Sequence, residues 1–356
     1  MDVTQLLSFL GGLALLVVGA ELLVRGASRL AVSFGISPLV VGLTVVAFGT
    51  SSPEFAVSLG SALGGDADIA LGNVIGSNIF NVLFILGVSA LIVPLVVKSQ
   101  LVRFDVPVMV GASVLLVVLC LDGRLGRFDG IVLFGLLIVY LVVLVRKSRR
   151  ETTEGTADFE AEYSETRPGS LVNGVLILVG LGMLVVGSNL LLDAAVAFAE
   201  QLGVSDLVIG LTLVAAGTSL PEVATSVLAA VRGERDIAVG NVVGSNVFNI
   251  LGVLGASAVA APDGVQVAEG AIVFDLPVML AVIVACLPIF LTGHLIARWE
   301  GTVFVGYYVA YTAYLILAAT EHDALSPFSR VMLWFVIPLT IVTIVTSVVQ
   351  ARRSPA

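Results

Sequence analysis

Charged residues are scarce in this chain: 12% of its 356 residues are Asp, Glu, Lys or Arg, whereas 58% are hydrophobic. A typical soluble domain is about 25% charged and about 45–50% apolar. Apolar runs of about 18 residues or more recur along the whole length, and each can cross a hydrocarbon layer of about 30 Å. This composition excludes a separate soluble domain and predicts an all-α polytopic membrane protein.

Histidine and cysteine are nearly missing, with two of each. Cys120 and Cys286 lie singly in different apolar runs, and His294 and His322 lie near the ends of such runs. None has the spacing of a metal-ligand motif, and the sequence shows no nucleophile–base pair. We therefore expect a protein that is not an enzyme, has no bound cofactor and does not bind nucleic acid.

The apolar pattern predicts eleven membrane spans. They lie near residues 5–24, 38–63, 70–96, 104–121, 129–146, 171–198, 206–231, 238–261, 272–292, 302–320 and 330–349. The first run lacks a basic leading segment and a small-residue cleavage site, so we interpret it as a span and not as a signal peptide. The acidic stretch 147–170 is typical of a solvated, disordered connector; a regulatory cation-binding segment is the alternative.

The basic residues predict the orientation of the chain, because Lys and Arg concentrate in cytoplasmic loops. With the N-terminus outside, fourteen of the 17 lysines and arginines fall on the cytoplasmic side. The other three, Arg124, Arg127 and Arg330, fall outside. We predict a multi-pass protein of the cell membrane with an external N-terminus and a cytoplasmic C-terminus.

The chain contains an internal repeat. Residues 39–87, LVVGLTVVAFGTSSPEFAVSLGSALGGDADIALGNVIGSNIFNVLFILG, align without a gap with residues 207–255, LVIGLTLVAAGTSLPEVATSVLAAVRGERDIAVGNVVGSNVFNILGVLG, at an offset of 168. Further along, FDVPVM from Phe104 matches FDLPVM from Phe274 at an offset of 170. The repeat unit therefore contains five spans.

Two copies of an odd number of spans must lie in opposite orientations. The loop GGDAD at 64–68 is acidic, as expected outside, and its counterpart RGERD at 232–236 carries two arginines, as expected inside. Inverted repeats of this kind place a transport site at the membrane midplane between the halves. The predicted parts are a first five-helix repeat at 1–146, a cytoplasmic acidic linker at 147–170, a second repeat at 171–320, and an extra C-terminal helix with a basic tail at 321–356.

A polar interruption occurs in both copies, as GTSSPE at 49–54 and GTSLPE at 217–222. Glycine permits unusual dihedrals, whereas proline has no N–H and suits the first turn of a helix. We expect the span to break here, with Ser51 or Ser52 capping the new half-helix. Such a break frees main-chain carbonyls, which a membrane tolerates only where protein, water or an ion satisfies them.

Small and polar side chains share one face of each broken span, at spacings of i, i+4, i+7 and i+11. They are Ala47, Ser51, Glu54 and Ser58, repeated as Ala215, Ser219, Glu222 and Ser226. The next span carries a stripe of amides and a serine, which is Asn73, Ser77 and Asn81, repeated as Asn241, Ser245 and Asn249. Pairs of glycines in these spans let helices approach closely, which brings each stripe against a glutamate.

The predicted pocket is rich in oxygen and contains two carboxylates, Glu54 and Glu222. No histidine, thiolate, lysine or arginine accompanies them, so a soft metal is excluded and a hard cation such as Ca²⁺ is favoured. An ionised glutamate at the bilayer centre costs at least a few kcal/mol, so an empty site attracts Na⁺ or H⁺. Competition of this kind is the physical basis of antiport.

Asp105 and Asp275 also repeat, each shortly before a proline at the start of a span. Because negative charge is favourable at a helix N-terminus, we interpret both as residues that stabilise helix starts. An ion-access vestibule is the alternative.

The two copies of G-T-S-x-P-E followed by G-N-x-x-G-S-N resemble the paired α-repeats of the cation/Ca²⁺ exchanger superfamily, most closely those of prokaryotic Na⁺/Ca²⁺ exchangers. The resemblance implies alternating access, in which the first and sixth spans slide past the core. It also implies a metal site in which Ca²⁺ and Na⁺ share Glu54 and Glu222, and in which Ca²⁺ binds the carbonyls of Thr50 and Thr218. One Na⁺ would bind Ala47, Ser51 and Ser77, and the mirror Na⁺ would bind Ala215, Ser219 and Ser245. Asn81 and Asn249 would lie beside the centre.

This chain departs from the family pattern at Asn81 and Asn249, because many relatives carry Asp at one of the two positions. Its pocket therefore holds two acids and not three, so the typical exchange stoichiometry does not transfer directly. The linker at 147–170 is also too short for the regulatory Ca²⁺-binding domains of animal relatives, and the eleventh span lies outside the repeat.

The sequence thus predicts a secondary active antiporter that exchanges Ca²⁺ for Na⁺. Its partners would be these two transported ions and the lipid bilayer, and a monomer would suffice for the site. An antiporter of H⁺ and Ca²⁺, or of another divalent cation, is the main alternative, because a buried glutamate can bind a proton. A passive cation channel is a weaker alternative, since inverted repeats around a closed pocket argue against it.

Overall fold

The computed structural model describes residues 3–162, 170–291 and 293–353. These residues are almost entirely helical, as predicted, and they form eleven consecutive helical segments. The segments are α1 (Val3–Phe34), α2a (Pro38–Thr50) with α2b (Ser52–Gly64), α3 (Asp68–Ile92), α4 (Leu101–Asp122), α5 (Arg127–Glu162), α6 (Ser170–Gln201), α7a (206–217) with α7b (Leu220–Val231), α8 (Arg235–Ala260), α9 (Ala271–Leu291), α10 (Arg298–Ala319) and α11 (Leu325–Arg353).

Nine helices in the described part of the chain are long and apolar enough to cross a membrane, and the bent pair α2a–α2b makes a tenth. The two halves of this pair meet at 47°. The segment α7 is its equivalent in the second repeat, where α7b is a shorter apolar helix. The helices are interrupted at Ser51 and at residues 218–219, which confirms the predicted break in each repeated motif.

Short π-helical turns occur at equivalent positions of the two halves. The matched pairs are Gly42–Val46 with Gly210–Val214, Asn81–Leu86 with Asn249–Val253, and Leu101–Asp105 with Ala271–Asp275. Turns of this type are rare and are often found at functional sites. The backbone irregularities are therefore duplicated together with the sequence, and one pair begins at two predicted site residues.

Two short antiparallel ladders, which the sequence analysis did not anticipate, link the two halves. β1 (Leu95–Val96) pairs with β4 (Leu295–Ile296), and β2 (Arg124–Leu125) pairs with β3 (Val265–Gln266). β1 and β3 follow equivalent spans of the two repeats, and so do β2 and β4. Each ladder is therefore the counterpart of the other.

The ladders determine how the loops are distributed between the membrane faces. Paired strands lie on the same face, so an even number of crossings must separate them. Six segments, α4 to α9, lie between β1 and β4, and four, α5 to α8, lie between β2 and β3. Both numbers are even only if the broken segment α7 crosses the membrane, as two inverted five-span repeats require.

The helices α3 and α8, which carry the polar stripes, form the centre of the bundle. In the most apolar stretch of each helix, all residues of α8 and 72% of those of α3 are buried, whereas no residue of α11 is buried. The extra helix α11 lies at the periphery against α10, where Tyr307 OH donates a hydrogen bond to Thr340 Oγ1 at 2.8 Å. The polar residues therefore lie on the two most buried helices.

The helix α5 continues beyond its membrane span to Glu162. Residues 147–162 of the predicted disordered connector are therefore helical in the structure. Residues 163–169 of the predicted linker lie outside the described residues.

The helices α1 and α6 form a closely packed antiparallel pair. At one end, Gln201 Nε2 donates a hydrogen bond to Gln5 Oε1 at 3.0 Å. Near the middle, a Cβ atom placed on Gly19 would lie 2.8 Å from the carbonyl oxygen of Gly180. Because only glycine allows backbones to approach this closely, α1 and α6 are joined as one unit.

The substitution Gly19→Val is expected to destabilise the protein by about 1–3 kcal/mol, because an added side chain would press against the backbone of α6. The measurement is the thermal unfolding midpoint of the purified protein in detergent. Gly11→Val is the matched control, because a Cβ atom on Gly11 would have nothing within 4 Å. Equal midpoints for the two variants would contradict the close contact.

Candidate cation site

The glutamates of the two motifs lie at the starts of the half-helices α2b and α7b, and both are fully buried. Each accepts a hydrogen bond from the serine of the opposite repeat. Ser219 Oγ donates to Glu54 Oε1 at 2.7 Å, and Ser51 Oγ donates to Glu222 Oε1 at 2.9 Å. The two bonds are counterparts under the repeat, so both carboxylates face the interface between the halves.

Neither Ser51 nor Ser52 caps α2b, so that prediction is wrong. Ser51 occupies the N-cap position without a side-chain capping bond, and its hydroxyl contacts Glu222 instead. Ser52 Oγ donates to the carbonyl oxygen of Phe48 at 3.0 Å. A cap must accept from the second or third N–H of the helix, and Pro53 removes the second, whereas a hydrogen bond to a carboxylate is strong.

The outer amides of the stripes hold each half-helix to its own repeat. Asn73 Nδ2 donates to Ser58 Oγ at 2.9 Å and lies 3.3 Å from the carbonyl oxygen of Glu54. In the second repeat, Asn241 Nδ2 donates to Ser226 Oγ at 3.0 Å. These bonds join α2b to α3 and α7b to α8, and they position the glutamates.

The structure brings most of the predicted site residues into the same buried region. The buried ones are Ala47, Thr50, Ser51, Glu54, Ser77, Asn81, Ser219, Glu222, Ser245 and Asn249. Thr218, in the break before α7b, is only half-buried. Ala215 lies at the equivalent of Ala47 in α7a, but its side chain is outside the described residues.

Several buried oxygen atoms in this region have no hydrogen-bond partner in the described part of the chain. They are Glu54 Oε2, Glu222 Oε2, Asn81 Oδ1, Asn249 Oδ1 and Ser245 Oγ. Leaving one buried polar atom unpaired costs about 1–3 kcal/mol, and four of these atoms form two repeat-related pairs. All four are acceptors, so the partner that they lack is a hydrogen-bond donor or a cation.

The donor set favours a hard cation. Among the described residues, no group of three or more His, Cys, Asp or Glu could hold a metal ion, so the pocket relies on two carboxylates supplemented by amides and hydroxyls. Neutral and anionic oxygens without nitrogen or sulfur suit Na⁺, Ca²⁺ and similar ions. Two carboxylates balance the charge of one divalent cation or of two monovalent ones.

Two further asparagines of the site were missed by the sequence analysis. Asn81 Nδ2 donates to Asn246 Oδ1 at 3.0 Å, and Asn249 Nδ2 donates to Asn78 Oδ1 at 3.2 Å. Asn78 and Asn246 are both fully buried. The available signal was their recurrence at the offset of 168 as the last residue of each G-N-x-x-G-S-N motif, three residues before Asn81 and Asn249.

The two repeats are packed differently on either side of the pocket. A Cβ atom on Gly240 would lie 2.9 Å from the carbonyl oxygen of Leu39, because α2a packs directly on α8. The equivalent Gly72 of α3 is exposed, with nothing within 4 Å of its Cβ position. Correspondingly, Thr50 is fully buried whereas Thr218 is half-buried. The pocket is therefore closed on the side of α2a and more open on the side of α7a.

Asp105 and Asp275 make contacts between helices, so the interpretation that they stabilise helix starts is wrong. Tyr140 OH donates to Asp105 Oδ1 at 3.1 Å, and Tyr311 OH donates to Asp275 Oδ1 at 3.3 Å. Each aspartate ends a π-helical turn that continues into the following helix. The helix therefore has no free N–H groups at these positions.

Comparison with known proteins gives the family. The family model described as "Sodium/calcium exchanger protein" matches residues 4–146 and 172–317. This chain belongs to that family. The resemblance inferred from the repeated motifs is thereby confirmed, and the helix α11 lies beyond the matched residues.

Relatives of this sodium/calcium exchanger family member match over most of their length. The chain is 36% identical to the sodium/calcium exchanger MaX1 of Methanosarcina acetivorans, covering 88% of this chain and 99% of MaX1. It is 38% identical to the putative antiporter CaxA of Alkalimonas amylolytica, covering 86% and 97%. A solved structure of the sodium-calcium exchanger NCX_Mj matches with a TM-score of 0.75 at 33% identity, covering 88% of this chain and 99% of NCX_Mj.

The substitutions Glu54→Gln and Glu222→Gln are each expected to weaken Ca²⁺ binding by at least about 100-fold. Each removes one negative charge from the pocket, and a unit charge about 4 Å away contributes roughly 4 kcal/mol at an effective dielectric constant of about 20. Calorimetric titration of the purified protein with Ca²⁺ in Na⁺-free detergent solution measures the change. Glu269→Gln, at an exposed position, is the control; wild-type affinity in either pocket variant would show that the cation binds elsewhere.

Proposed function

We propose that this chain is a secondary active antiporter that exchanges Ca²⁺ for Na⁺ across the cell membrane by alternating access. Both ions would compete for the midplane site around Glu54 and Glu222. The observation that carries this proposal is the pair of buried carboxylates, each bonded to a serine of the opposite repeat and each with one oxygen unpaired. The family membership supports cation/Ca²⁺ exchange as the general activity.

The proposed Ca²⁺ site uses the centre of the pocket. Its donors would be the carboxylates, the unpaired amide oxygens of Asn81 and Asn249, and the carbonyls of Thr50 and Thr218 beside the helix breaks. This set provides at least six oxygens, which is within the usual coordination of Ca²⁺, about 6–8.

The proposed Na⁺ sites use the serine hydroxyls on either side of the centre. Ser219 Oγ lies 2.7 Å from Glu54 Oε1 and 3.3 Å from Ser77 Oγ. These contacts run between the repeats, so in place of the expected set of Ala47, Ser51 and Ser77 we group Ser77 with Ser219 and Glu54. The mirror site then contains Ser245, Ser51 and Glu222. The carbonyls of Ala215 and Ala47 would complete the two sites. A proton needs no such set of hydroxyls, so the arrangement favours Na⁺ as the driving ion.

Alternating access is supported by the different packing of the two sides. With the N-terminus outside, the contact of α2a with α8 closes the cytoplasmic side, and the open side near Gly72 faces outward. In the opposite state α7a would pack on α3 as α2a packs on α8 here. Because α1 and α6 form one unit, we propose that they move together past the core.

The proposed domain division follows the repeat. The family match ends at residue 146 and resumes at 172, which supports a first repeat at 1–146, a linker at 147–170 and a second repeat at 171–320. The extra helix at 321–356 would remain outside the moving parts, because α11 contacts only the periphery of the bundle. One chain would contain a complete site in the bilayer.

Ion flux in proteoliposomes tests the driving ion. Vesicles loaded with Ca²⁺ are expected to release it when a Na⁺ gradient is imposed and to retain it when only a pH gradient is imposed. Ca²⁺ uptake against its gradient, driven by Na⁺, would show coupling. Release driven by pH alone would establish H⁺/Ca²⁺ exchange instead, and release without any counter-ion would establish a channel.

The substitution Gly72→Ala tests alternating access. It is expected to leave Ca²⁺ binding unchanged, because the position is open in this state, and to slow Na⁺-driven Ca²⁺ flux by about 5–150-fold. The physical reason is that the added methyl would overpack the opposite state by about 1–3 kcal/mol, as it would at Gly240 here. Gly60→Ala, also with nothing within 4 Å, is the control. Normal flux in Gly72→Ala would contradict the proposed opposite state.

A further inference from the structure

We propose that Asn78 and Asn246 are positioning residues that hold the side-chain amides of Asn249 and Asn81 with their carbonyl oxygens facing the cation pocket. Each acts on the amide of the opposite repeat. The inference rests on the exchange function proposed above, because it concerns how the same site selects a cation. It concerns residues that do not themselves contact the ion.

The contacts between the asparagines leave one end of the side-chain amides of Asn81 and Asn249, called here the inner amides, without a partner among the described residues. Asn81 Nδ2 is taken by Asn246 Oδ1, and Asn249 Nδ2 is taken by Asn78 Oδ1. The other ends, Asn81 Oδ1 and Asn249 Oδ1, are buried and have no hydrogen-bond partner in the described residues. Two acceptor oxygens, related by the repeat, are thus available to a cation.

The orientation of the Asn78 and Asn246 amides is determined in each case by a group that cannot donate a hydrogen bond. Asn246 Nδ2 lies 3.5 Å from the main-chain carbonyl oxygen of Asn78. Asn78 Nδ2 lies 3.7 Å from the thioether sulfur of Met279. A carbonyl and a thioether only accept, so the NH₂ groups of Asn246 and Asn78 face them, and their carbonyl oxygens face Asn81 and Asn249.

Reversal of an inner amide would change the chemistry of the pocket. If Asn81 turned over, its NH₂ group would face the cation, and its oxygen would face the oxygen of Asn246. The NH₂ group would repel a cation. The two amide oxygens would face each other with no hydrogen atom between them, because an amide oxygen only accepts. The network therefore determines whether the pocket offers two oxygens or two N–H donors beside the glutamates.

The placement of these amides supports a role in the site. The inner residues, Asn81 and Asn249, are the first residues of two π-helical turns, Asn81–Leu86 and Asn249–Val253. Turns of this kind change the direction of a side chain relative to a regular helix and are often found at functional sites. The cross-repeat bonds also join α3 to α8, so the oxygens are held at the centre of the bundle.

A double-mutant cycle on Ca²⁺ binding tests the proposal. The full chain is purified in Na⁺-free detergent solution and titrated calorimetrically with Ca²⁺. Asn246→Leu is expected to weaken binding by about 10–100-fold, the usual effect of removing a group that orients a metal ligand. In an Asn81→Leu background the same change is expected to add less than about threefold, because the oriented amide is already gone.

The matched control is the same change in an Asn249→Leu background. Asn246 does not orient Asn249, so the loss caused by Asn246→Leu is expected to add in full there. The mirror cycle exchanges the roles. Asn78→Leu is expected to change Ca²⁺ affinity little in an Asn249→Leu background and to cause its full loss of affinity in an Asn81→Leu background. A general role in packing would instead make the losses additive in both backgrounds.

The outcomes separate this inference from the proposed function. If wild-type protein binds Ca²⁺ and the cycles are additive in every background, the positioning role is overturned and the exchange function stands. If wild-type protein does not bind Ca²⁺, both are overturned. Should Asn246→Leu fail to fold, as judged by size-exclusion chromatography, Asn246→Ala removes the same oxygen without added bulk and is used in the same cycles, with the same expected result.

Discussion

The burial of two carboxylates at the centre of a helical membrane protein is the constraint on which the rest of the structure depends. An ionised glutamate in hydrocarbon is unfavourable by at least a few kcal/mol, and Glu54 and Glu222 are both fully buried. Each has one oxygen satisfied by a serine and one left without a protein partner. Around the free oxygens, the broken helices, the packing of α2a on α8 and the amide network bring further oxygens towards the pocket.

Duplication of one five-span unit supplies the symmetry of the site. Several of its contacts run between the copies: a serine of one repeat bonds the glutamate of the other, and the same holds for the paired asparagines and for the two strand ladders. A site built in this way is incomplete in either half alone. The structure shows one packing of these nearly equivalent halves, closed at α2a, and the opposite state proposed above is its mirror arrangement.

Some residues were interpreted wrongly because their side chains can bond either to a group nearby in the sequence or to a group on another helix. Ser51 stands where a helix cap is expected, yet its hydroxyl contacts Glu222. Asp105 stands near the predicted start of a span, yet it accepts a hydrogen bond from Tyr140, a residue 35 positions away. Spacing along the chain reveals only the bonding partner that is near in sequence, whereas a partner on another helix depends on how the spans pack together. The short strand ladders were unforeseen for the same reason.

The spans, the inverted repeat, the break at each G-T-S-x-P-E motif and the presence of two acids with an oxygen-rich surround were determined by the sequence alone. These features follow from the length of hydrocarbon that a helix must cross, from the missing N–H of proline and from the period of the helix. Only the tertiary structure decided which serine serves which glutamate, which way each amide points and which side of the pocket is closed. Those outcomes depend on hydrogen bonds between residues 142–171 positions apart, and a helical period specifies the face on which a residue lies without specifying what that face meets.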